Sequence, residues 1–572
     1  MGLTSSLLIG QSALTASQIA MQVTGNNIAN VSTPGFHRQR VLLNPSFSEQ
    51  VLPGAFIGRG VGVQNVRREI DPAIQARLRA SISQEQGAQI DQSVLSQVES
   101  ILNELSDSDL SSQFSRFFNA FSEVANNPSA TVTRQSAIEQ GAQLASFVRQ
   151  LRTGLMDQRV QVENQIKFNV TRADGLLTQI AETNRAIVTG GGDSALRDQR
   201  DALISELSGI MNVSVIEHEN GSCDVLAGSA PLVLGTNSRG LNLRVQTVNN
   251  ELRYDVQITA TNETVGIDSG KLGALLNQRT GAVQRTIDDL DHLTGGLIFE
   301  VNKLHAMGRP QKRMTDITGG LQIPTADRSR AFNDPANATF AGLDFGPKNG
   351  SFTVIVTDQN GNQSKQVIQV DLDGITNTGV PGTADDTSID DIVTALNGIP
   401  NLTASLTPSG QLRITTASGY DVSFEQDSSG TLATLGMNSF FTGNDASNIA
   451  VRDDLRTDPL RLTIGLSDGS NETALAIAGL KDRGVDAFGG ESLGSAWQKS
   501  VERLGVDAAA ATSRAAATGT VRASLEAQDA GISGVSLDEE SINLINYQQQ
   551  YQGAARFISV VNEMTQILLD LV

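Results

Sequence analysis

The chain has 572 residues, with 62 acidic against 42 basic side chains and a formal net charge of −20 at pH 7. At a soft prior of about 150 residues per domain this length implies three or four cores. The acidity, with no basic cluster longer than Arg67-Arg68, disfavours nucleic acid and anionic membrane surfaces as partners, and the single cysteine, Cys223, excludes an internal disulfide scaffold.

In chain order, the first charged residue is Arg38. A secretory signal needs a basic region before its apolar stretch, and no run of about 18 apolar residues could span a bilayer. The expectation is therefore neither a cleaved signal of that type nor a membrane anchor, so export would take another route. Ile9, Ala13, Ala16, Ala20 and Val23 form one helical row of this charge-free segment, and Leu7, Leu14, Met21 and Ile28 form a second. An exposed helix normally carries Lys and Glu on its wet face, so the segment predicts either contact with neighbouring subunits or a buried core helix.

Long helices are expected over Leu144 to Ile187, ended by Gly190-Gly191-Gly192, over Leu272 to Met307, and over Ser492 to Leu504 with an Ala-rich continuation from Asp507 to Gln528. They read as the walls of one helical domain built from both halves of the chain. Ser214 to Val265 alternates as strands, including Arg253 to Ile258, with turns at Asn220-Gly221 and Asn249-Asn250. About Phe340 to Leu466 is a second β region. There Phe352, Val354 and Val356 alternate with polar residues before an Asn360-Gly361 turn, and strands Gln411 to Thr416 and Asp421 to Glu425 flank Ser418-Gly419. At the C-terminus Leu544, Tyr547, Tyr551, Ala554, Ile558, Val561, Thr565, Leu568 and Val572 step by threes and fours as a heptad seam. Beside it run Phe557, Val560, Met564, Ile567 and Leu571, making an apolar face too wide for one partner helix and pointing to assembly.

The chain lacks the patterns of a catalytic or metal centre. His37, His218, His292 and His305 include no pair at helical ligand spacing, and His305 reads as a helix-end residue. Gly490-Glu491-Ser492-Leu493-Gly494 imitates a nucleophile elbow, but no histidine follows it, and Ser492 fits a helix N-cap better. Gly58, Gly60 and Gly62 lack the third glycine of a dinucleotide loop and read as a turn or close backbone approach. Asp371-Leu372-Asp373-Gly374 and Asp385-Asp386 hint at calcium without EF-hand spacing, so exposed turn acids are expected. No cofactor, metal or catalytic residue is assigned.

The first helix must stop at Ser32-Thr33-Pro34-Gly35, because Pro34 disfavours helical backbone at Thr33. Before this stop, Asn26, Asn27 and Asn30 offer side-chain amides suited to bonding backbone groups across an interface. This stretch, Asn26 to Gly35, resembles the N-terminal signature of flagellar rod, hook and hook-associated proteins. Ser533 to Glu540, with Asn543-Leu544 and Tyr547 to Tyr551, resembles the tail of the hook-associated members, as do Asp198 to Asp201, Asn302 to His305 and Phe440 to Ser447.

The resemblance implies an α+β multidomain fold. N- and C-terminal helices would pair as a coiled coil, a helical bundle domain would lie outside them, and β-rich insertion domains would face outward. The expected division is 1–36 with 534–572 as an inner-tube coiled-coil domain; 37–213, 268–310 and 473–533 as the helical bundle; 214–267 as a small β domain; and 311–472 as the outer β insertion. The expected function is a non-enzymatic structural subunit at the hook–filament junction, exported through the flagellar type III apparatus and located outside the cell. Its partners would be its own copies in a ring, the hook protein, a second junction protein of the FlgL type and an export chaperone of the FlgN type, with no nucleic acid or membrane. Expected assembly residues are Leu14, Met21, Asn26, Asn27, Ile28, Asn30, Pro34, Gly35, Leu544, Tyr547, Tyr551, Ile558, Val561 and Leu568. The alternatives are a hook or distal rod protein of the same axial family, or a secreted adhesin or hydrolase carried in the β insertion.

Overall fold

The computed structural model describes residues 2–52, 55–103, 109–248, 251–467 and 469–570. The chain forms two compact units, one of Met1–Ser93, Glu163–Asn277 and Ala510–Val572, the other of Val94–Val162 and Gln278–Ala509. Three long helices, Pro72–Leu102, Thr131–Thr189 and Leu493–Ser533, contribute residues to both.

In the first unit the N-terminal helix Gly2–Ala29 packs along the C-terminal helix Leu537–Asp570. The pair is antiparallel, because Asn27 meets Glu540 while Gly10 lies against Ile558. After the first helix the Pro34 turn is closed by Thr33 N–H to Asn30 O (2.9 Å) and Phe36 N–H to Thr33 O (3.2 Å), with Gly35 at φ +76°. The chain then returns as antiparallel strands Gln39–Pro45 and Val61–Arg68. Asp193 caps the helix Ser194–Ile210. A four-stranded meander follows, Ser214–Glu217, Cys223–Ala227, Ala230–Leu234 and Asn237–Ser238, then the hairpin of Leu241–Val248 with Glu251–Ile258. Gly221 makes the Asn220-Gly221 turn at φ +85°, while the turn expected at Asn249-Asn250 lies outside the described residues.

In the second unit the helix Leu110–Asn126 buries Leu110, Phe114, Phe117, Phe118, Phe121 and Val124 on one face. Phe117 and Phe121 pack against Phe440, with ring centroids 5.7 and 5.4 Å apart. The single helix expected over Leu272 to Met307 is two, Gly270–Thr280, most of it in the first unit, and Ala282–Ala306 in the second, because Gly281 takes a non-helical ψ of −109°. Pro72–Leu102 and Leu110–Asn126 are helices beyond those read from periodicity. The first dilutes its apolar positions with Gln and Ser, and the second is a short Phe-rich run.

The β region of residues 316–425 holds two three-stranded sheets around a shared core that includes Phe352, Val354, Phe424, Leu396 and Ile414. One sheet has the order Gln363–Val370, Gly350–Thr357, Asp421–Glu425; the other has Asp316–Thr318, Leu412–Thr416, Leu402–Leu406. The two strands flanking Ser418-Gly419 thus belong to different sheets. Each finds a long-range partner, so the glycine turn joins sheets instead of closing a hairpin. Asp386 also departs from the expected exposed turn acid, for it is only 5% exposed beside the buried start of the helix Ile389–Asn397.

Candidate assembly interface

The seam of the terminal helix pair follows from the heptad spacing. Ala554 and Val561 are buried, and Leu544, Tyr547, Tyr551, Ile558 and Thr565 are half-buried against the N-terminal helix, which contributes buried Ala16 and Ala20 and half-buried Leu14, Met21 and Ile28. Gly10 permits close approach, since a Cβ there would sit 2.6 Å from Ile558 Cγ1. Gly60, at φ +94°, lies against Ser12, whose Oγ accepts from Val61 N–H (3.2 Å). This is the close approach expected of the glycine-rich stretch. Leu568 is exposed instead, because with Gly10 opposite Ile558 the N-terminal helix runs out before reaching it.

Beside the seam the second apolar row is uncovered. Phe557, Val560, Met564 and Ile567 are exposed, as are Ile542 and Ile545 about three to four turns before Phe557. An apolar groove of about 440 Å³ opens between Ile9, Ala13, Leu43, Val61, Tyr547 and Phe557. A contiguous apolar strip of this kind is the mark of a surface made to be covered.

At the other end of the pair a polar clamp fixes the register. Asn27 is buried; its Nδ2 donates to Gln39 O and to Glu540 Oε2 (both 2.9 Å), and its Oδ1 accepts from Gln39 N–H (3.0 Å). Arg38 bridges Glu539 and Glu540 at 2.8 Å each, and its own N–H donates to Ser533 O (2.8 Å). Burial pulls the Arg38 pKa down, but the charges of Glu540 and Glu539 outweigh it and hold the guanidinium above its ordinary value. Asn30 donates to Asn26 O and Asn26 Oδ1 (3.0 Å each), capping its own helix. Asn26, Pro34 and Gly35 are exposed. The bonds of Asn27 and Asn30 are therefore internal to the chain, where the sequence suggested amides reaching across an interface. Arg38, Glu539 and Glu540 were absent from the expected set, although an acidic run followed by no nearby base, and a first charge at Arg38, were visible.

A second network secures the strand pair to the helices. Arg68 bonds Asp198 (2.6 Å) and Asp201 (2.7 Å), and His37 Nδ1 lies 2.7 Å from Asp198. His37, Asp198 and Asp201 could converge on one ion, but the Arg68 guanidinium already occupies the charge-compensating position, so this group is an ion-pair network. In the second unit, Asn302 bonds the backbone of Phe440 and Phe441 (2.9 to 3.0 Å). His305 is fully buried between Asn438 O (2.6 Å) and Thr463 N–H (3.1 Å), and desolvation lowers its pKa to about 4. The buried Cys223 thiol is pushed up to about 11, chiefly by desolvation, which makes it a poor nucleophile.

Paired terminal helices that leave an apolar face open, behind a clamp joining an N-terminal Asn signature to a C-terminal acidic one, define an axial protein of the bacterial flagellum. Comparisons with known proteins agree. Residues 7–37 match the family described as flagella basal body rod protein, residues 531–571 the C-terminal family of flagellar basal body rod FlgEFG proteins, and residues 95–316 the helical domain of flagellar hook-associated protein FlgK. The chain is 26% identical to flagellar hook-associated protein 1 of Escherichia coli, over 98% of both chains, and 27% identical to that of Salmonella typhimurium, again over 98% of both. The Bacillus subtilis counterpart is 27% identical over 54% of this chain and 70% of its own. The flagellar hook junction protein FlgK of Burkholderia pseudomallei aligns structurally with a TM-score of 0.48 and 16% identity, over 80% of this chain and 100% of its own. Over nearly its whole length the chain is thus similar to flagellar hook-associated protein 1.

Proposed function

We propose that this chain is the adaptor of the hook–filament junction, a structural subunit whose terminal helices stack against those of neighbouring copies. The observation that carries the reading is the uncovered row Phe557, Val560, Met564 and Ile567 beside an already filled seam. Burying such a row is favourable at about 25 cal/mol per Å², and neighbouring subunits bring the same surfaces in register around a closed or helical ring. Residues 1–36 with 534–572 would form the inner tube, the helices the layer around it, and the β region 311–472 the outward surface.

The finer partners follow the same logic. The hook protein and the second junction protein would take the two ends of the ring, and an export chaperone would cover the apolar C-terminal face before assembly. Secretion to the cell exterior is part of the proposal; among the described residues no helix is long and apolar enough to cross a membrane. The proposed role is architectural: the His37, Arg68, Asp198 and Asp201 group is engaged in ion pairs, and Asn302 and His305 clamp backbone. Immunogold microscopy of isolated flagella with antibody to the β region tests it. Label confined to the hook–filament boundary is expected, and label along the whole hook would assign the chain to the hook instead.

A further inference from the structure

The outer β region carries a carboxylate cluster that its packing does not satisfy. Asp371 follows the strand Gln363–Val370, Asp373 lies in the turn after it, and Asp386 precedes the helix Ile389–Asn397. One carboxylate oxygen from each lies within 4.8 Å of the others. Asp386 is 5% exposed; its Oδ2 accepts from Asn333 Nδ2 (2.7 Å), while its Oδ1 is buried with no hydrogen-bond partner. The adjacent Asp385 repeats the pattern, Oδ2 accepting from Asn377 N–H (2.6 Å) and Oδ1 buried and unpartnered. Among the described residues no Lys, Arg or His forms an ion pair with any of these four aspartates.

Like charges this close repel, and an occluded carboxylate oxygen without a partner is unfavourable unless something positive fills the position. Oxygens sharing a Ca²⁺ ion at about 2.4 Å can be no more than about 4.8 Å apart. The donors are all hard oxygens, with no nitrogen or sulfur to favour zinc or copper. Gly374 at φ +69° turns the chain and Thr376 N–H closes on Val380 O (2.9 Å), so the carboxylates come from an irregular loop and a helix start, an arrangement that suits the variable coordination of Ca²⁺ better than the strict octahedron of Mg²⁺.

We propose that Asp371, Asp373 and Asp386 bind a Ca²⁺ ion, which pins the 371–386 loop to the start of the helix Ile389–Asn397 and completes the outer β region. The ligand set is discontinuous, split by the loop it would close, which is why linear loop spacing does not reveal it.

The test is calorimetric titration of the EDTA-treated full chain with CaCl₂ and, separately, MgCl₂, alongside thermal melting in each. One Ca²⁺ per chain is expected, with a raised Tm and a weaker response to Mg²⁺. Asp373→Asn, on an exposed residue whose Oδ1 accepts from Ile375 N–H (2.8 Å) in a way Asn can copy, should weaken binding at least about tenfold with the far-UV spectrum unchanged. Asp386→Asn should do the same, and Asp358→Asn, in the separate hairpin turn, should bind as the parent does. Absence of binding at millimolar Ca²⁺, unaltered binding by Asp373→Asn, or an equal response to Mg²⁺ would each overturn the assignment.

Discussion

Asn27 and Glu540, 513 residues apart in sequence, share a buried hydrogen bond of 2.9 Å. The same amide pairs with both backbone groups of Gln39, so one side chain holds together the end of the N-terminal helix, the returning strand and the start of the C-terminal helix. Glu540 is buried, and its charge is answered by Arg38 on one oxygen and Asn27 on the other. A buried polar group fully satisfied in only one geometry specifies register as well as contributing stability.

Asn27→Ala therefore leaves Glu540 Oε2 and the Gln39 backbone unpaired in a buried place. The expected cost is roughly 3 kcal/mol, confined to the terminal pair. Hydrogen exchange checks it: amides of residues 9–28 and 541–561 should lose protection while those of 282–306 keep theirs. Uniform loss, or none, contradicts the clamp.

The seam was legible in the sequence because a heptad period is local: Leu544, Tyr547, Tyr551, Ala554, Ile558, Val561 and Thr565 all lie on the covered face. Leu568 continues that period yet is exposed, since its burial depends on where the partner helix ends, a fact written elsewhere in the chain. The clamp was illegible for the same reason. Nothing near Glu540 announces Asn27 or Arg38, and only the fold brings them within reach. The strands Leu412–Thr416 and Asp421–Glu425 read correctly as strands, but their place in separate sheets is set by distant partners, Asp316–Thr318 and Gly350–Thr357.

Arg68 bridges Asp198 and Asp201, and Arg200 lies 3.7 Å from the other oxygen of Asp201. Arg68→Met should cost about 3 kcal/mol, because two largely buried carboxylates lose the guanidinium they share and keep only His37 beside Asp198 and the longer Arg200 contact to Asp201. Adding Asp201→Asn should recover part of this loss, and a double-mutant cycle by urea unfolding measures the coupling. Strict additivity would show that the network carries no joint energy.

The burial of His305 makes the second unit acid-sensitive. Its neutral ring donates from Nδ1 to Asn438 O and accepts at Nε2 from Thr463 N–H, so protonation breaks a buried hydrogen bond. With a folded pKa of about 4 against an ordinary 6.5, the unfolded state binds the proton first as pH falls. The contribution is fully present above about pH 6.5 and is lost progressively toward pH 4, amounting to about 3 kcal/mol at 1.36 kcal/mol per pH unit. Unfolding followed between pH 7.5 and 4 should show this slope in the parent and a flatter one in His305→Gln. Equal slopes would remove His305 as the cause.

Val561 and Ile567 separate folding of the terminal pair from assembly of the flagellum. Val561 is 4% exposed within the seam, whereas Ile567 is 61% exposed on the open row. A carboxylate at Val561 must be buried or must pry the helices apart, so Val561→Asp should destabilise the isolated chain by about 3 kcal/mol and lose assembly as a consequence. A carboxylate at Ile567 stays solvated in the free chain, so Ile567→Asp should leave its melting and exchange protection unchanged. Only when another subunit covers the row does the charge become buried, and there it should block incorporation at the junction and abolish motility. Complementation of a strain lacking this chain, read by swarming and by microscopy of its flagella, distinguishes the two. Normal filaments with Ile567→Asp would mean that the open row is not the contact between subunits, and that the groove beside Tyr547 and Phe557 would have to serve instead.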